Sequence, residues 1–567
     1  MAMEHRPQEQ AVFDFIVIGA GSAGCLLANR LSADPRYQVL LIEAGGRDDY
    51  VWVHIPVGYL YCIGNPRTDW LFQTTAQDRL GGRSLKYPRG RVWGGCSSIN
   101  GMIYMRGQAQ DYDQWESFGN PLWDWSSVLP VFKQHEDHHS GDHGSQDPMH
   151  GVGGEWRVER QRLRWDLLDA FAKAAHGSGI PPIQDFNRGD NEGCGYFEVN
   201  QRRGIRWNAT KAFLAPALSR PNLTVVSQAL VECLIFDAQD ACKVVGVQYR
   251  HRSQRLGLKG QETLSDPVVV RARAEVVLAA GTIGSVQIME RSGLGQAQRL
   301  SELGIKPRVA LEGVGENLQD HLQLRLIYKV SGVKTLNAQA KHWWGRAAMA
   351  LEYLLFRSGP LTMSPSQMGA FTRSSAAVDR ADLEYHIQPL SLERFGEPLH
   401  DFPAFTASVC QLRPTSRGSV HISDPSSLAP PNIDPCYLST DYDRQVAAAA
   451  IRVTRSIVSQ PPLAAFRPQE YLPGAQYESE EDLVAAAGRI GTTIFHPVGS
   501  LKMGPASDPT AVVDAQLRCH GLRGLRIADA SVMPTITSGN TNAPTMMIAE
   551  RAASWMLQAQ RSADGGA

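Results

Sequence analysis

The most constraining stretch of the chain is its start. Phe13–Ile18 is a short β-type apolar run that stops at Gly19-Ala20-Gly21-Ser22-Ala23-Gly24; a helical pattern follows, and a second apolar run, Val39–Ile42, ends at Glu43. Two such runs joined by one helix within about 30 residues predict a parallel βαβ unit, and with it an α/β fold. The glycines have separate tasks. Gly19 permits the tight turn, Gly21 lets backbone approach a pyrophosphate, and Gly24 allows helix and strand to pack closely. The helix start offers unpaired N–H groups and a positive dipole to phosphates. Glu43 stands where a carboxylate accepts ribose hydroxyls, and its charge would repel a 2′-phosphate. These residues predict a dinucleotide site without separating NAD from FAD.

Two distant segments narrow the choice. Glu275–Ser285 has the pattern of a strand entering a glycine turn, and Gly524–Pro534 that of a strand ending near Asp529. Gly and Asp at the carboxyl ends of parallel strands suit the ribityl-pyrophosphate of an extended dinucleotide. Leu223–Val226 and Val244–Tyr249 are further strand-like runs, and Ala543–Gln558 is expected as a C-terminal helix with a frayed tail. Residues 331–490 differ, with amphipathic helices (Trp343–Phe356, Asp443–Ser459) and a strand signal at Gly418–Ile422. The expected architecture is α/β (α+β overall). A Rossmann-like dinucleotide domain is built from residues 1–155, 215–325 and 495–567. An interleaved substrate domain, with an antiparallel sheet and helices, comprises 156–214 and 326–494.

Composition excludes other classes. Lys and Arg (56) nearly cancel Asp and Glu (57), leaving no basic field for nucleic acid. Nine scattered cysteines, an odd number, are expected as reduced thiols. No signal-peptide pattern and no apolar run of about 18 residues is visible, so a soluble cytoplasmic protein is expected.

Five motifs now stand in order along the chain: the N-terminal glycine loop, GRVWGGCSSIN at Gly90–Asn100, GTIGSVQIMERSGLG at Gly281–Gly295, GVGENLQDH at Gly313–His321 and SGNTNAPTMMIAE at Ser538–Glu550. In these the chain resembles the glucose–methanol–choline (GMC) family of FAD-dependent oxidoreductases, departing at Val286, where proline is commoner. The resemblance implies that Gly19, Gly21, Ser22, Ala23, Gly24, Glu43 and Ala44 hold the ADP half of FAD, with Val231 meeting adenine through its backbone. It further implies that Gly94, Gly95, Asn100 and Gly101 lie along the flavin, with Asp529, Ala530, Asn540 and Thr541 completing the cofactor site. Some members attach FAD through a histidine where this chain has Ile99, so non-covalent FAD is expected.

The family's catalytic base falls on His496, in Thr493–Gly499. A histidine suits the task because an imidazole is neutral, and so basic, near physiological pH. Its partner falls on Asn540, whose amide can bond the alcohol oxygen; Asn542, the alternative, is expected to bond backbone in the turn. The implied reaction is oxidation of a primary alcohol (choline-like, aliphatic or aryl) to an aldehyde, with hydride passing to flavin N5. The alternative is a non-redox hydroxynitrile lyase of the same fold. The electron acceptor is O₂ or a quinone, and a quinone would place the protein at the periphery of the inner membrane. Trp343–Phe356 is expected as a lid over the substrate channel, with membrane contact as the second reading. His135, His138, His139, His143 and His150 are expected in a solvated loop rather than at a metal, and no metal site is expected. Cys96 is expected as a small buried side chain.

Overall fold

The computed structural model describes residues 11–139, 147–253, 263–393 and 397–564. Val12–Ile18 forms the middle of a mixed eight-stranded sheet, since Phe15 to Ile18 are buried and the run can be covered on both faces. It pairs in parallel with Val39–Ile42 on one side and Val268–Leu278 on the other. Leu223–Val226 extends the sheet in parallel beyond Val39–Ile42, and Leu525–Ile527 pairs in parallel with Val268–Leu278. Ala229–Phe236 and Val244–Ser253 complete it as antiparallel strands.

The register explains why remote motifs meet. Ile18 is level with Ile42 and with Leu278, Ile42 with Val226, and Leu278 with Ile527. Five strands therefore end along one edge, and Gly19, Glu43, Ala279 and Asp529 follow there. In open parallel sheets that edge is where ligands bind.

A seven-stranded antiparallel sheet forms the second layer, ordered Gln469–Leu472, Leu322–Lys329, Ala404–Gln411, Leu383–Gln388, Met368–Thr372 and Gly193–Tyr196, with Gly491–Thr493 also on Leu322–Lys329. Its strands alternate. Leu383, Tyr385 and Ile387 enter a hydrophobic core with the helices Asp166–Gly177 and Asp441–Val458, so Glu384, His386 and Gln388 take the opposite face. Leu322–Lys329 pairs within this sheet, whereas Trp156, Val158 and Phe213 pack in the core of the first sheet.

The His-rich segment departs from expectation. Glu136–His139 is a strand paired with Trp156–Arg160, and His135 and His150 are buried. Two of its partners lie far along the chain, with His138 Nε2 3.0 Å from Glu198 and His150 Nε2 3.0 Å from Asp185; within the segment, His150 Nδ1 is 3.2 Å from Glu136, which also accepts from Arg106 at 2.7 Å. Remote carboxylates, invisible to local composition, convert an apparent loop into a buried ion network. His143 lies outside the described residues. The C-terminal helix is also longer than expected, Asn542–Asp564, and takes in the start of the tail.

Candidate active site

A cavity of about 280 Å³ runs along the carboxyl edge of the first sheet and is lined by residues of both sheets. Of the residues expected at the site, Gly19, Gly21, Ser22, Ala23, Glu43, Ala44, Gly95, Asn100, Gly101, Val231, Asp529, Ala530, Asn540, Thr541 and His496 all line it. Gly24 and Gly94 do not. Gly24 sits behind the wall, where a β-carbon would collide with the carbonyl of Gly19. Gly94 has φ +82 and donates its N–H to Ala20 O at 2.7 Å, pinning the glycine loop from behind.

At the dinucleotide end each Glu43 oxygen accepts one backbone N–H at 2.7 Å, from Ala20 and from Gly45. Burial raises the pKa of this carboxyl, and those two N–H groups oppose the rise. Asp529 accepts from the N–H of Gly281 (2.8 Å) and the hydroxyl of Ser285 (2.7 Å), so the two strand-end segments are tied together. Asn542 bonds the Ser22 hydroxyl at 2.7 Å, not backbone in its turn; it fastens the C-terminal helix to the first helix. Ile99, lining the same cavity, carries no nucleophile. Cys96 is only half-buried and also faces the cavity. The open glycine loop and the capped strand ends fit FAD.

At the other end, four groups fix one tautomer. His321 Nε2 lies 3.0 Å from Leu412 O, and a carbonyl can only accept, so His321 carries its proton there. His321 Nδ1 is then a lone pair, and His496 Nδ1, 3.1 Å away, donates to it. His496 Nε2 is left as a lone pair on the cavity side, accepting from Asn540 Nδ2 at 3.0 Å. Burial, reinforced by the potentials of His321, His386 and Arg89, holds His496 well below the ordinary imidazole pKa. Burial likewise lowers His321 to about 4 and His386 to about 3.

The backbone around His496 is held under strain. Phe495 has φ +72, costly for a bulky residue. Its N–H donates to Thr493 Oγ1 (2.7 Å), and Arg89 bonds its carbonyl at 2.5 Å. The next N–H, of His496, donates to Asp320 (2.8 Å), itself bonded by Thr493 and Tyr87.

Sequence reasoning assigned no role to Asp320, His321, Gln323, Arg89, His386 or Gln388. Asp320 and His321 lay within a recognised motif. Gln323, His386 and Gln388 carried only strand alternation as a signal. The donor atoms of His321, Glu384 and Cys410 lie within 4.8 Å of one another, the spacing of a metal site among the described residues. Yet both His321 nitrogens are engaged, and burial raises Glu384 to about 8 and Cys410 well above its ordinary range. Cys410 donates to Glu384 at 3.8 Å, so the three side chains already have hydrogen-bond partners.

The described helices include none long and apolar enough to cross a membrane. The GMC oxidoreductase family models match residues 13–323 and 414–549. An alcohol dehydrogenase [acceptor] of Pseudomonas putida is 37% identical over 543 residues, covering 96% of this chain and 95% of the relative. An oxygen-dependent choline dehydrogenase of Vibrio vulnificus is 36% identical over 554 residues, covering 97% of this chain and 95% of its own length. Among solved structures, pyridoxine 4-oxidase from Mesorbium loti superposes with a TM-score of 0.82 at 31% identity, covering 96% of this chain and 98% of its own. Formate oxidase of Aspergillus oryzae shares the fold at a TM-score of 0.88 and 24% identity, over 98% of this chain and 100% of its own.

Proposed function

Because the chain belongs to the GMC oxidoreductase family, we propose that it oxidises a neutral primary alcohol to an aldehyde, with His496 as base, Asn540 as the anchor of the alcohol oxygen and FAD held without a covalent link. When bound, FAD supplies the two-electron acceptor for the departing hydride. The observation that carries the reading is the hydrogen-bond chain from Leu412 O through His321 to His496, which leaves a lone pair facing the cavity beside Asn540.

The alcohol takes the place of the direct His496–Asn540 bond. Its proton goes to His496 Nε2 while its oxygen accepts from Asn540 Nδ2. A buried base with a lowered pKa keeps a proton only where a negative partner develops beside it, and the alkoxide oxygen is that partner. Asp320, accepting from the backbone N–H of His496, fixes the main chain that carries the ring.

The walls favour a neutral substrate. The carboxylates lining the cavity, Glu43 and Asp529, are occupied at the cofactor end, whereas Gln323, Ser366, His386, Gln388 and Ile494 flank the base. Trp343 and Trp344 are at the surface, and the ring of Trp70 is covered by Arg91 and Arg252 at 5.6 and 5.3 Å, so none supplies a face for a quaternary ammonium. We propose that the first sheet serves the cofactor and the second the substrate, following the sheets rather than the limits expected from sequence. The acceptor in this reading is O₂ or a quinone, the latter in the cytoplasm against the inner membrane. Nothing in the site favours a lyase.

The test is anaerobic bleaching of the flavin band by a panel of alcohols, with O₂ and a quinone then compared as acceptors. Neutral primary alcohols should bleach it, acid precipitation should release the flavin, and His496→Ala should slow reduction by about 10²-fold or more with FAD retained. An unbleached flavin across the panel would favour the lyase.

A further inference from the structure

The helix Trp343–Phe356 does not close over the cavity: none of its residues lines it, and only Tyr353 is buried. Trp343 (75% exposed), Leu354 (69%) and Phe356 (68%) point to solvent, with Trp344, Leu351 and Leu355 beside them. Six large apolar side chains on 14 residues form a patch that a soluble monomer rarely leaves uncovered, and no described residue covers it. The helix is nonetheless docked firmly on its inner side, where the Tyr353 hydroxyl donates to Gly204 O at 3.1 Å.

The rim is basic. Lys341 precedes the helix, Arg346 lies on it and Arg357 ends it, all exposed. Exposed Arg162 bonds the carbonyl of Arg357 at 3.1 Å, and exposed Arg203 precedes the glycine that anchors Tyr353. The helix's one acid, Glu352, is half-buried and bonded to Ser358 at 3.0 Å. An apolar face ringed by cations, about 21 Å long at 1.5 Å per residue, is too short to span a bilayer and suited to lie in its surface. A second copy fits less well, because a two-fold contact through this face would set the basic rim against itself.

We propose that Trp343–Phe356 docks the protein on an anionic phospholipid bilayer, its apolar side chains entering the acyl boundary and Lys341, Arg346, Arg357, Arg162 and Arg203 meeting headgroups. The turn Pro360–Thr362 packs against this helix, and Pro365 and Ser366, just beyond it, line the cavity. A docked molecule therefore holds the substrate end of its cavity near the lipid surface, where an apolar alcohol or a lipid-soluble quinone is concentrated. The surface reading does not depend on the catalytic one, since it is read by binding.

The test is flotation of the FAD-loaded protein with vesicles of phosphatidylcholine alone or mixed with phosphatidylglycerol. The protein should float with the mixed vesicles, less with the neutral ones, and less as salt rises. Arg346→Glu with Arg357→Glu should weaken binding about thirtyfold or more, and Trp343→Ser with Leu354→Ser and Phe356→Ser should abolish it. Both variants should keep the flavin band and its bleaching by alcohol. A protein that stays unbound with both vesicles, triple-variant binding equal to the parent's, or a concentration-dependent dimer that the triple variant dissolves would each overturn the proposal, the last in favour of a second copy.

Discussion

His496 offers its lone pair to the cavity only because His321 accepts its other proton. His321→Phe would leave that buried N–H unpaired, at a cost of about 1–3 kcal/mol, and free the ring to place its proton toward Asn540. Flavin reduction by alcohol should then slow by roughly 5- to 150-fold, with FAD content unchanged, and His321→Asn, whose oxygen can accept the same proton, should recover part of the rate. A Phe variant reducing at the parent rate would remove His321 from the account. His496 and Asn540 were legible because each sits in a recognisable stretch of sequence. The orienting role of His321 was not, because it exists only through a contact across 175 positions of chain.

Among the elements, the parallel strands were legible because a run buried on both faces must be continuously apolar, and Val39–Ile42 is VLLI. The glycine loop was legible for a steric reason that can be tested. Gly24→Ala would drive a β-carbon into the Gly19 carbonyl, so helix and strand must part. It should lower the thermal midpoint and leave the purified protein colourless, whereas Gly64→Ala, with open space around it but a strained φ of +77, should keep its colour. A yellow Gly24→Ala protein of unchanged midpoint would contradict the packing account. The segments misjudged from sequence share one cause. The His-rich stretch found carboxylates on other elements, and the apolar Trp343–Phe356 helix found none of the covering expected of a lid.

At the scale of the whole molecule, the two-layer architecture was legible from the change in pattern along the chain, while the seams between layers depend on pairing that local sequence does not reveal. The buried titrating groups make its stability depend on pH. Burial lowers His321 to about 4 and His386 to about 3 and holds His496 well below the ordinary imidazole range, so stability present above about pH 6.5 is lost as pH falls, the unfolded chain binding protons that the folded one refuses. Glu384, raised to about 8, opposes this loss between about pH 4.5 and 6.5, so stability falls less steeply there than the histidines alone would make it. On the alkaline side the sign reverses. Burial would lower His150, yet bonds to Asp185 and Glu136 raise it to about 9, so its stabilisation is present below about pH 6.5 and lost as pH rises through 9, with Glu384 acting in the same sense. The urea midpoint should peak near pH 6.5, and His386→Leu should flatten the acid limb; a midpoint constant between pH 7 and 5 would refute this balance. The order in which the pocket's walls occur has a further consequence. Asp529 and Asn540 come about 500 residues after Gly19, yet they close the pocket that it begins. A nascent chain on the ribosome thus has no finished receptacle until Asn540 has emerged, so coenzyme uptake waits for that point, and a chain stalled before Leu525 should stay colourless even in excess FAD.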